Sequence, residues 1–264
     1  MSADSQIFYI NSEHRTSGTS SNFTFELQIK DNVKYDRVSV LQLSVPLSFY
    51  LVRPPYDTFT LTEADQSISI TIPPGNYNIR TFADQIVQLL NSKSPHGYIY
   101  KMTFDIVLAK FIYSVSGNSG VQPILGLNLH LSDQFGFDFK SQNQFVNDAI
   151  TSTRVVNFVS GNNTVFLHST LVDDQSMILQ EVYSSNTVPF SFITWLNPNK
   201  EMYSKKLKSN SDTFFNFTIT DDDNVEIDLN GQNVYITVLL WKQDDLSDLF
   251  RKYLKMQLMK IAEK

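Results

Sequence analysis

Asp and Glu are the residues in this 264-residue sequence whose spacing could support chemistry. Five of them fall between positions 221 and 228, namely Asp221, Asp222, Asp223, Glu226 and Asp228. Clustered carboxylates can bind calcium through their oxygen atoms, or act as the paired acid and base of a glycoside hydrolase. They can equally occupy the turns of a β-sheet, because Asp and Asn are favoured in tight turns.

The calcium interpretation fails on spacing. An EF-hand loop that starts at Asp221 has carboxylates at its first and third positions, but it also needs an oxygen ligand at position 5, Gly at 6 and Glu at 12. Val225, Glu226 and Gln232 occupy those three positions. We therefore predict no metal site here, and an irregular surface cation site is the remaining alternative.

The hydrolase interpretation depends on Glu226 and Asp228, which would share one face of a strand. Side chains two residues apart on a strand have Cβ atoms roughly 6–7 Å apart, so a catalytic pair is geometrically possible. Sugar-binding clefts usually add aromatic platforms, and Trp195 and Trp241 are the two tryptophans of the chain. We favour two solvated carboxylates, and we expect no catalytic residue and no cofactor.

A β-hairpin interpretation accounts for the whole stretch from Phe215 to Trp241. Apolar residues alternate with polar ones in three runs, which is the period of a half-buried strand. The residues between the runs, 221–224 and Asn230-Gly231, are turn formers, and Asn-Gly is a strong signal for a tight hairpin turn. The sequence therefore predicts three strands joined by two turns.

The other candidate chemistry is sparse. The histidines are separated along the chain and none is paired with a Glu at metal-binding spacing; they are His14, His96, His130 and His168. The sequence has no cysteine, no nucleophile elbow and no phosphate-binding glycine loop. Its net charge of −6 and lack of a basic run argue against specific nucleic-acid binding. We also expect no secretory signal and no membrane span.

The composition favours contact with partners. Charged residues make up 18% of the chain, below the roughly 25% of ordinary globular proteins, and Ser, Thr, Asn and Gln supply the polar balance. A surface of uncharged polar groups suits extensive protein contacts, because fewer charges must be desolvated.

Many short alternating runs separated by turns predict an all-β fold, an antiparallel sandwich or barrel. We expect an N-terminal arm at 1–21 and the β domain at 22–243, with long loops or an inserted region within 117–200. Helical spacing from Ile79, with Asn78 or Thr81 as the cap, predicts a short internal helix. An apolar stripe predicts a C-terminal amphipathic helix at 244–264.

Aromatic residues outside the regular strands are candidates for a subunit or shell interface. Phe135, Phe137 and Phe139 lie in the aromatic stretch within 117–150, and the alternative is that they fill the ends of the sandwich. The C-terminal stripe adds the candidates Leu249, Phe250 and Tyr253. It could pack on its own barrel, pair with a neighbour or project into a particle.

Four segments together resemble a known family. They are FYINSEHRTSGTSSNFTFEL at 8–27, YDRVSVLQLSVPLSFYLV at 35–52, IPPGNYNIRTFADQIVQLLN at 72–91 and FTITDDDNVEIDLNGQNVYITVLLW at 217–241, with ILGL at 124–127 as a weaker fifth. In this order along the chain they resemble the penton, or minor capsid, proteins of virophages and related Polinton-like DNA viruses.

This resemblance implies a single jelly-roll sandwich and a structural function without catalysis or cofactor. Homopentamers would occupy the five-fold vertices of an icosahedral double-stranded DNA virus particle, surrounded by hexamers of the major capsid protein. The protein would be made in the host cytoplasm and located in the virion, with a host receptor as a further partner. The alternative from another class is a carbohydrate- or receptor-binding jelly-roll module.

Overall fold

The computed structural model divides the chain into two compact units. Unit 1 comprises Met1–Phe49 and Asn162–Lys264, and unit 2 comprises Tyr50–Gly161. The structure describes residues 5–30, 33–118, 120–158, 164–183, 191–209 and 211–243, together with 250, 253 and 254. Among these residues, no helix is long and apolar enough to cross a membrane.

Strands dominate both units. The first part of unit 1 contains β1 (Ser5–Asn11), β2 (Ser17–Gly18), β3 (Asn22–Glu26) and β4 (Arg37–Pro46). Unit 2 contains β5 (Thr58–Glu63), β6 (Gln66–Thr71), α1 (Ile79–Lys93), β7 (Ile99–Asp105), β8 (Lys110–Ser116), β9 (Ile124–Gly126), α2 (Ser132–Phe135), β10 (Asn143–Gln144) and β11 (Ala149–Thr151). The second part of unit 1 contains β12 (Thr164–Ser169), β13 (Ile178–Tyr183), β14 (Phe192–Leu196), β15 (Lys205–Lys206), β16 (Phe214–Thr220) and β17 (Tyr235–Trp241).

Unit 1 is a jelly roll. One sheet has the order β1-β17-β4-β14, with β15 beside β4, and the other has the order β13-β12-β16-β3-β2. Counted along the chain without the two-residue strands β2 and β15, the eight strands lie in the orders 1-8-3-6 and 5-4-7-2. All of these pairs are antiparallel. Two interlocked Greek keys of this kind define a jelly roll, so the predicted fold class is confirmed.

The two sheets of unit 1 bury one shared core. Val38 and Val40 of β4 lie in the same cluster of buried side chains as Val165 of β12 and Phe217 of β16. Phe23 stacks on Phe217 with ring centroids 5.6 Å apart, across the pairing of β3 with β16. The alternate residues of each strand supply this core, which is why the period-two pattern was informative.

The N-terminal segment differs from the predicted arm. Ser5–Asn11 pairs with β17 along its whole length, so it is the first strand of the jelly roll. Ile10 is buried and Phe8 is partly buried, whereas Ile7 and Tyr9 are exposed. This alternation spans only four residues within a polar segment, too short to predict a strand from periodicity.

Unit 2 is inserted between the third and fourth strands of the jelly roll. Its sheets have the orders β10-β9-β5-β6 and β11-β8-β7, and α1 contributes Phe82, Ile86 and Leu90 to its core. The unit begins at Tyr50, well before the expected region 117–200, and ends at Gly161. Strands β12, β13 and β14, which also fall within 117–200, belong to the jelly roll.

The predicted internal helix is confirmed, including its cap. Asn78 Oδ1 accepts hydrogen bonds from the N–H groups of Arg80 at 3.0 Å and Thr81 at 2.9 Å. Thr81 Oγ1 in turn accepts a hydrogen bond from the Asn78 N–H at 2.9 Å. This capping box satisfies N–H groups that a helix start leaves without partners inside the helix.

Candidate interaction surfaces

Asp221, the first carboxylate of the acidic stretch, is a buried turn residue. Its Oδ1 accepts hydrogen bonds from the N–H groups of Asp223 at 3.0 Å and Val225 at 2.9 Å. The N–H of Asn224 donates to the Asp221 carbonyl at 3.1 Å, and Asn224 has a positive φ of 59°. The predicted turn over 221–224 is confirmed, and the Asp221 carboxylate accepts hydrogen bonds from backbone N–H groups in and next to this turn.

Glu226 holds the loop before β3 in place. Its carboxylate accepts hydrogen bonds from Ser21 Oγ at 2.8 Å, Thr19 Oγ1 at 3.0 Å and Asn22 Nδ2 at 3.2 Å. The side chain is exposed, but three donors from one loop converge on it. Its observed role is to tie the chain near residue 20 to the segment after β16.

The middle strand predicted within the acidic stretch is not formed. Between β16 and β17 there is an isolated bridge from Thr220 to Glu226, and the Ile227 N–H donates to the Ile219 carbonyl at 3.1 Å. Ile227 and Leu229 are nevertheless buried, as their alternation indicated. The side chains of Ile227 and Leu229 therefore pack in the core, whereas the backbone leaves the strand pairing after one bridge.

The Asn230-Gly231 turn is confirmed. The two residues have positive φ angles of 49° and 78°, and the Gln232 N–H donates to the Leu229 carbonyl at 3.0 Å. Two central residues with positive φ characterise the tight turns that match the twist of paired strands. Asp228 Oδ1 accepts a hydrogen bond from the Asn230 N–H at 2.8 Å, so this carboxylate also supports a turn.

Three of the four histidines contact different groups. His96 Nε2 lies 3.3 Å from Asp65, and His130 stacks on Tyr56 with centroids 3.6 Å apart. The ring nitrogens of His168 lie 3.0 Å from the Ser176 carbonyl and 3.0 Å from Thr220 Oγ1. Among the described residues, no group of three or more possible ligands is arranged to hold a metal ion.

Sequence reasoning missed Glu63, a buried carboxylate in unit 2. Ser94 Oγ lies 2.8 and 2.9 Å from its two oxygens, and the His96 N–H and Tyr100 hydroxyl donate to it at 2.9 and 2.7 Å. Burial, reinforced by this contact with Glu63, raises the pKa of Tyr100. Glu63 follows Phe59 and Leu61 at spacing two, and this placement of a charge on the inward face is the signal that could have identified it.

Phe135 and Phe137 are core residues of unit 2, which corrects their assignment to an interface. Both have no exposed surface, and Phe135 lies 5.1 Å from the ring of Phe82, while Phe137 lies 5.4 Å from the ring of Tyr113. A side chain without exposed surface cannot contact a second protein. Phe139 is partly exposed, with the Lys140 ammonium 5.5 Å from its ring centroid.

The C-terminal candidates are described only in part. Phe250 and Tyr253 are exposed and in helical conformation. Leu249 and most of the predicted helix at 244–264 lie outside the described residues. The proposal that this segment contacts a partner therefore remains a prediction.

One part of the outer face of the sheet β1-β17-β4-β14 carries side chains without charge, whereas Arg37 and Lys200 bring charge to the part around Trp241. The strand register aligns Tyr9, Thr237, Gln42 and Leu196 in one row across the four strands. The neighbouring row contains Asn11, Tyr235, Ser44 and Thr194. We define the uncharged face as these two rows together with Ile7 and Phe192.

The uncharged face is rich in exposed apolar and aromatic groups. Tyr9 is 78% exposed and Leu196 is 65% exposed, and Ile7, Phe192 and Tyr235 are also exposed. Directly opposed residues on neighbouring strands lie about 5 Å apart, so these side chains form one continuous surface. The outer face of the other sheet differs, because it carries the exposed carboxylates of Glu26 and Glu181.

The comparisons with known proteins include two structural likenesses of low sequence identity. No family model matches this sequence, and no curated protein matches it. The mavirus penton protein is similar over 90% of this chain and 100% of its own, with 12% identity and a TM-score of 0.48. The D1-D2-D3 domains of the Escherichia coli flagellar cap protein FliD cover 82% of this chain and 57% of their own, with 13% identity and a TM-score of 0.24. Both TM-scores lie below 0.5, so the fold assignment rests on the strand order of this chain alone.

Proposed function

We propose that this protein is a structural subunit of a virus capsid. In this proposal five copies form a ring at each five-fold vertex of an icosahedral particle, and hexamers of a major capsid protein surround the ring. Jelly rolls serve as capsid, lectin and cupin domains, so the fold alone leaves several functions open. The sequence resemblance to penton proteins favours the first of these.

The uncharged face is the observation that carries the proposal. Protein interfaces are depleted of charge at their centre and enriched in Tyr, Trp, Phe and Met. The chain as a whole has a net charge of −6, so copies that meet through carboxylates would repel each other. A face with Tyr9, Tyr235, Phe192 and Leu196 and no carboxylate avoids both the repulsion and the cost of desolvating charge.

A closed ring imposes a further condition on this face. In a ring of five, one surface of each subunit meets a different surface of the next subunit. The uncharged face therefore supplies one side of the contact, and a second patch of the neighbouring copy supplies the other. A contact of the uncharged face with itself would give a two-fold dimer and would not fit the proposal.

The proposed role involves no catalysis. Glu226 and Asp228, the acidic pair considered for hydrolysis, are engaged as acceptors for the Ser21 hydroxyl and the Asn230 N–H. These contacts support a structural use of the two carboxylates, in agreement with a capsid role.

A second candidate function is carbohydrate binding on the same face. Tyr9 and Tyr235 lie diagonally across β1 and β17, since their direct partners are Thr237 and Asn11. Diagonal positions are about 7–8 Å apart, within reach of aromatic side chains, and Asn and Gln groups nearby could bind sugar hydroxyls. This candidate predicts a rise in melting temperature with a glycan, and loss of that rise in Tyr9→Ala.

Charge insertion into the uncharged face tests the capsid proposal. We expect Tyr9→Glu to shift the assembly towards the 30.2 kDa monomer in analytical ultracentrifugation. The matched control is Tyr183→Glu, because Tyr183 is 71% exposed on the edge strand of the opposite sheet. Native-like assembly of Tyr9→Glu would contradict the assignment of the face.

A further inference from the structure

The hairpin of β7 and β8 ends in three consecutive exposed aliphatic residues. Ile106 is 83% exposed, Val107 is 87% exposed and Leu108 is 55% exposed. They occupy the loop between Asp105 and Lys110, which are the last paired residues of the two strands. Single exposed apolar residues are ordinary on protein surfaces, but a run of three at a protruding loop is not.

A second segment adds to this apolar tip. The Val156 N–H donates to the Ala109 carbonyl at 3.0 Å, and Lys110 Nζ donates to the Thr153 carbonyl at 3.1 Å. These bonds hold the backbone of 153–156 against the end of the hairpin, and Val155 within it is also exposed. We define the aliphatic tip as Ile106, Val107, Leu108 and Val155.

The loop supplies hydrogen-bond partners for part of its own backbone. Asp105 Oδ1 accepts hydrogen bonds from the N–H groups of Val107 at 2.9 Å and Leu108 at 3.0 Å. The Ala109 carbonyl has its partner in Val156. These groups keep their hydrogen bonds when water is removed, and an apolar medium demands such internal satisfaction.

We propose that the aliphatic tip inserts into the interfacial region of a lipid bilayer. The side chains would enter the boundary between headgroups and acyl chains, while Asp105 and Lys110 stay at headgroup level. This binding function goes beyond the proposed capsid role and does not depend on it.

The kind of residue favours a bilayer over a protein pocket. Hot spots of protein interfaces are enriched in Trp, Tyr and Arg, whereas Leu and Val are under-represented there. Ile, Leu and Val are among the residues that enter a bilayer most favourably. A bilayer also accepts a convex tip without a complementary groove, which a protein partner would have to supply.

The charges near the tip fit a shallow insertion driven by apolar groups. Lys110 lies at the base of the loop, and a lysine can bury its stem while its ammonium group stays in water. Asp105 has the opposite charge at the paired position, so the tip has no excess of positive charge of its own. We therefore expect binding that depends weakly on anionic lipid and weakly on salt.

The absence of native cysteine makes a direct experiment possible. The full chain carries an environment-sensitive dye at Val107→Cys, and a control carries it at Val146→Cys, which is 68% exposed in the same unit. With phosphatidylcholine vesicles we expect a blue shift and quenching by lipid-borne quenchers at position 107 only. An unchanged spectrum at position 107, or equal shifts at both positions, would overturn the proposal.

Vesicle flotation with unlabelled protein provides the second measurement. We expect Val107→Asp to lower the bound fraction about tenfold or more, because aspartate enters a bilayer far less readily than valine. Val146→Asp should bind as the native chain does, and 30% anionic lipid should change the bound fraction little. Failure of the native chain to float with either lipid composition would point to a protein partner and reject the bilayer.

The same variant separates this proposal from the capsid role. Val107→Asp should leave the mass of the assembly unchanged, because the bilayer proposal gives the tip no contact with another copy. Loss of assembly in this variant would show that the tip serves contact between copies, and it would contradict the bilayer proposal.

Discussion

The Glu226 carboxylate accepts a hydrogen bond from Ser21 Oγ at 2.8 Å, although 205 positions separate the two residues in the chain. Thr19 and Asn22 donate to the same carboxylate. One acidic side chain thus joins the loop before the second jelly-roll strand to the turn after the seventh. The acidic stretch that resembled a catalytic or calcium site stabilises the sandwich.

Replacement of Glu226 tests this structural role. We expect Glu226→Gln to lower the free energy of unfolding by about 1 kcal/mol, since hydrogen bonds to an exposed carboxylate lose strength when its charge is removed. Urea unfolding measures the change. Glu26→Gln, an exposed glutamate on β3, is the control and should change stability much less; equal losses would argue against the network.

Replacement of Glu63 in unit 2 should lower the free energy of unfolding by a larger amount. Its oxygens accept hydrogen bonds from the Ser94 hydroxyl, the His96 N–H and the Tyr100 hydroxyl, so Glu63→Leu would leave these three donors without their acceptor. A buried polar group without a partner costs about 2–3 kcal/mol. Thermal or urea unfolding should show this loss, and Asp84→Asn on the exposed side of α1 should change little.

Alkaline pH should destabilise unit 2 through two tyrosines. Burial raises the pKa of Tyr113 well above its usual value, and burial together with Glu63 raises the pKa of Tyr100. Above about pH 10 the unfolded chain loses these protons while the folded chain keeps them, so the contribution of these two groups to stability is constant below that pH and falls above it.

Urea unfolding from about pH 8 to about pH 11 measures this effect. We expect the free energy of unfolding to fall less steeply with rising pH in Tyr100→Phe than in the native chain. The variant lacks one of the two hydroxyl groups whose pKa differs between the folded and unfolded states. An identical decline in the native chain and the variant would show that Tyr100 does not contribute.

Gly18 offers a test of the loop that Glu226 holds. Its φ is +94°, and a Cβ at this position would lie 2.1 Å from the Asn22 carbonyl oxygen. We expect Gly18→Ala to cost about 2 kcal/mol or more, because strain and overlap act together. Gly231 also has a positive φ but open space around a Cβ, so Gly231→Ala should cost less; the reverse order would contradict the geometry.

Local sequence signals predicted much of the fold. Alternation indicated the strands that face the core, and Asn78 with Thr81 indicated the start of α1. The Asn230-Gly231 pair indicated its turn. Each of these features depends on residues close together in the chain, where periodicity and turn chemistry decide the outcome.

The sequence did not reveal the features that depend on distant residues. The pairing of β1 with β17 joins the two ends of the chain, and the four-residue alternation of β1 is too short to indicate it. The division at Tyr50 and Gly161 depends on which strands share a core. The burial of Phe135 and Phe137 follows from the same cause, since aromatic residues in a loop-like stretch can face either way.

The uncharged face could be predicted only in part. Tyr235 and Thr237 alternate visibly with the buried residues of β17, and Phe192 and Leu196 do the same on β14. Their alignment with Tyr9 and Gln42 requires the register of four strands that are far apart in sequence. A surface built across strands becomes visible only when the strand order is known.

The mass and symmetry of the purified native assembly test the capsid proposal most directly. We expect particles of five times the 30.2 kDa chain mass, with five-fold rings in electron micrographs. A stable monomer at micromolar concentration, or a two-fold dimer, would contradict it.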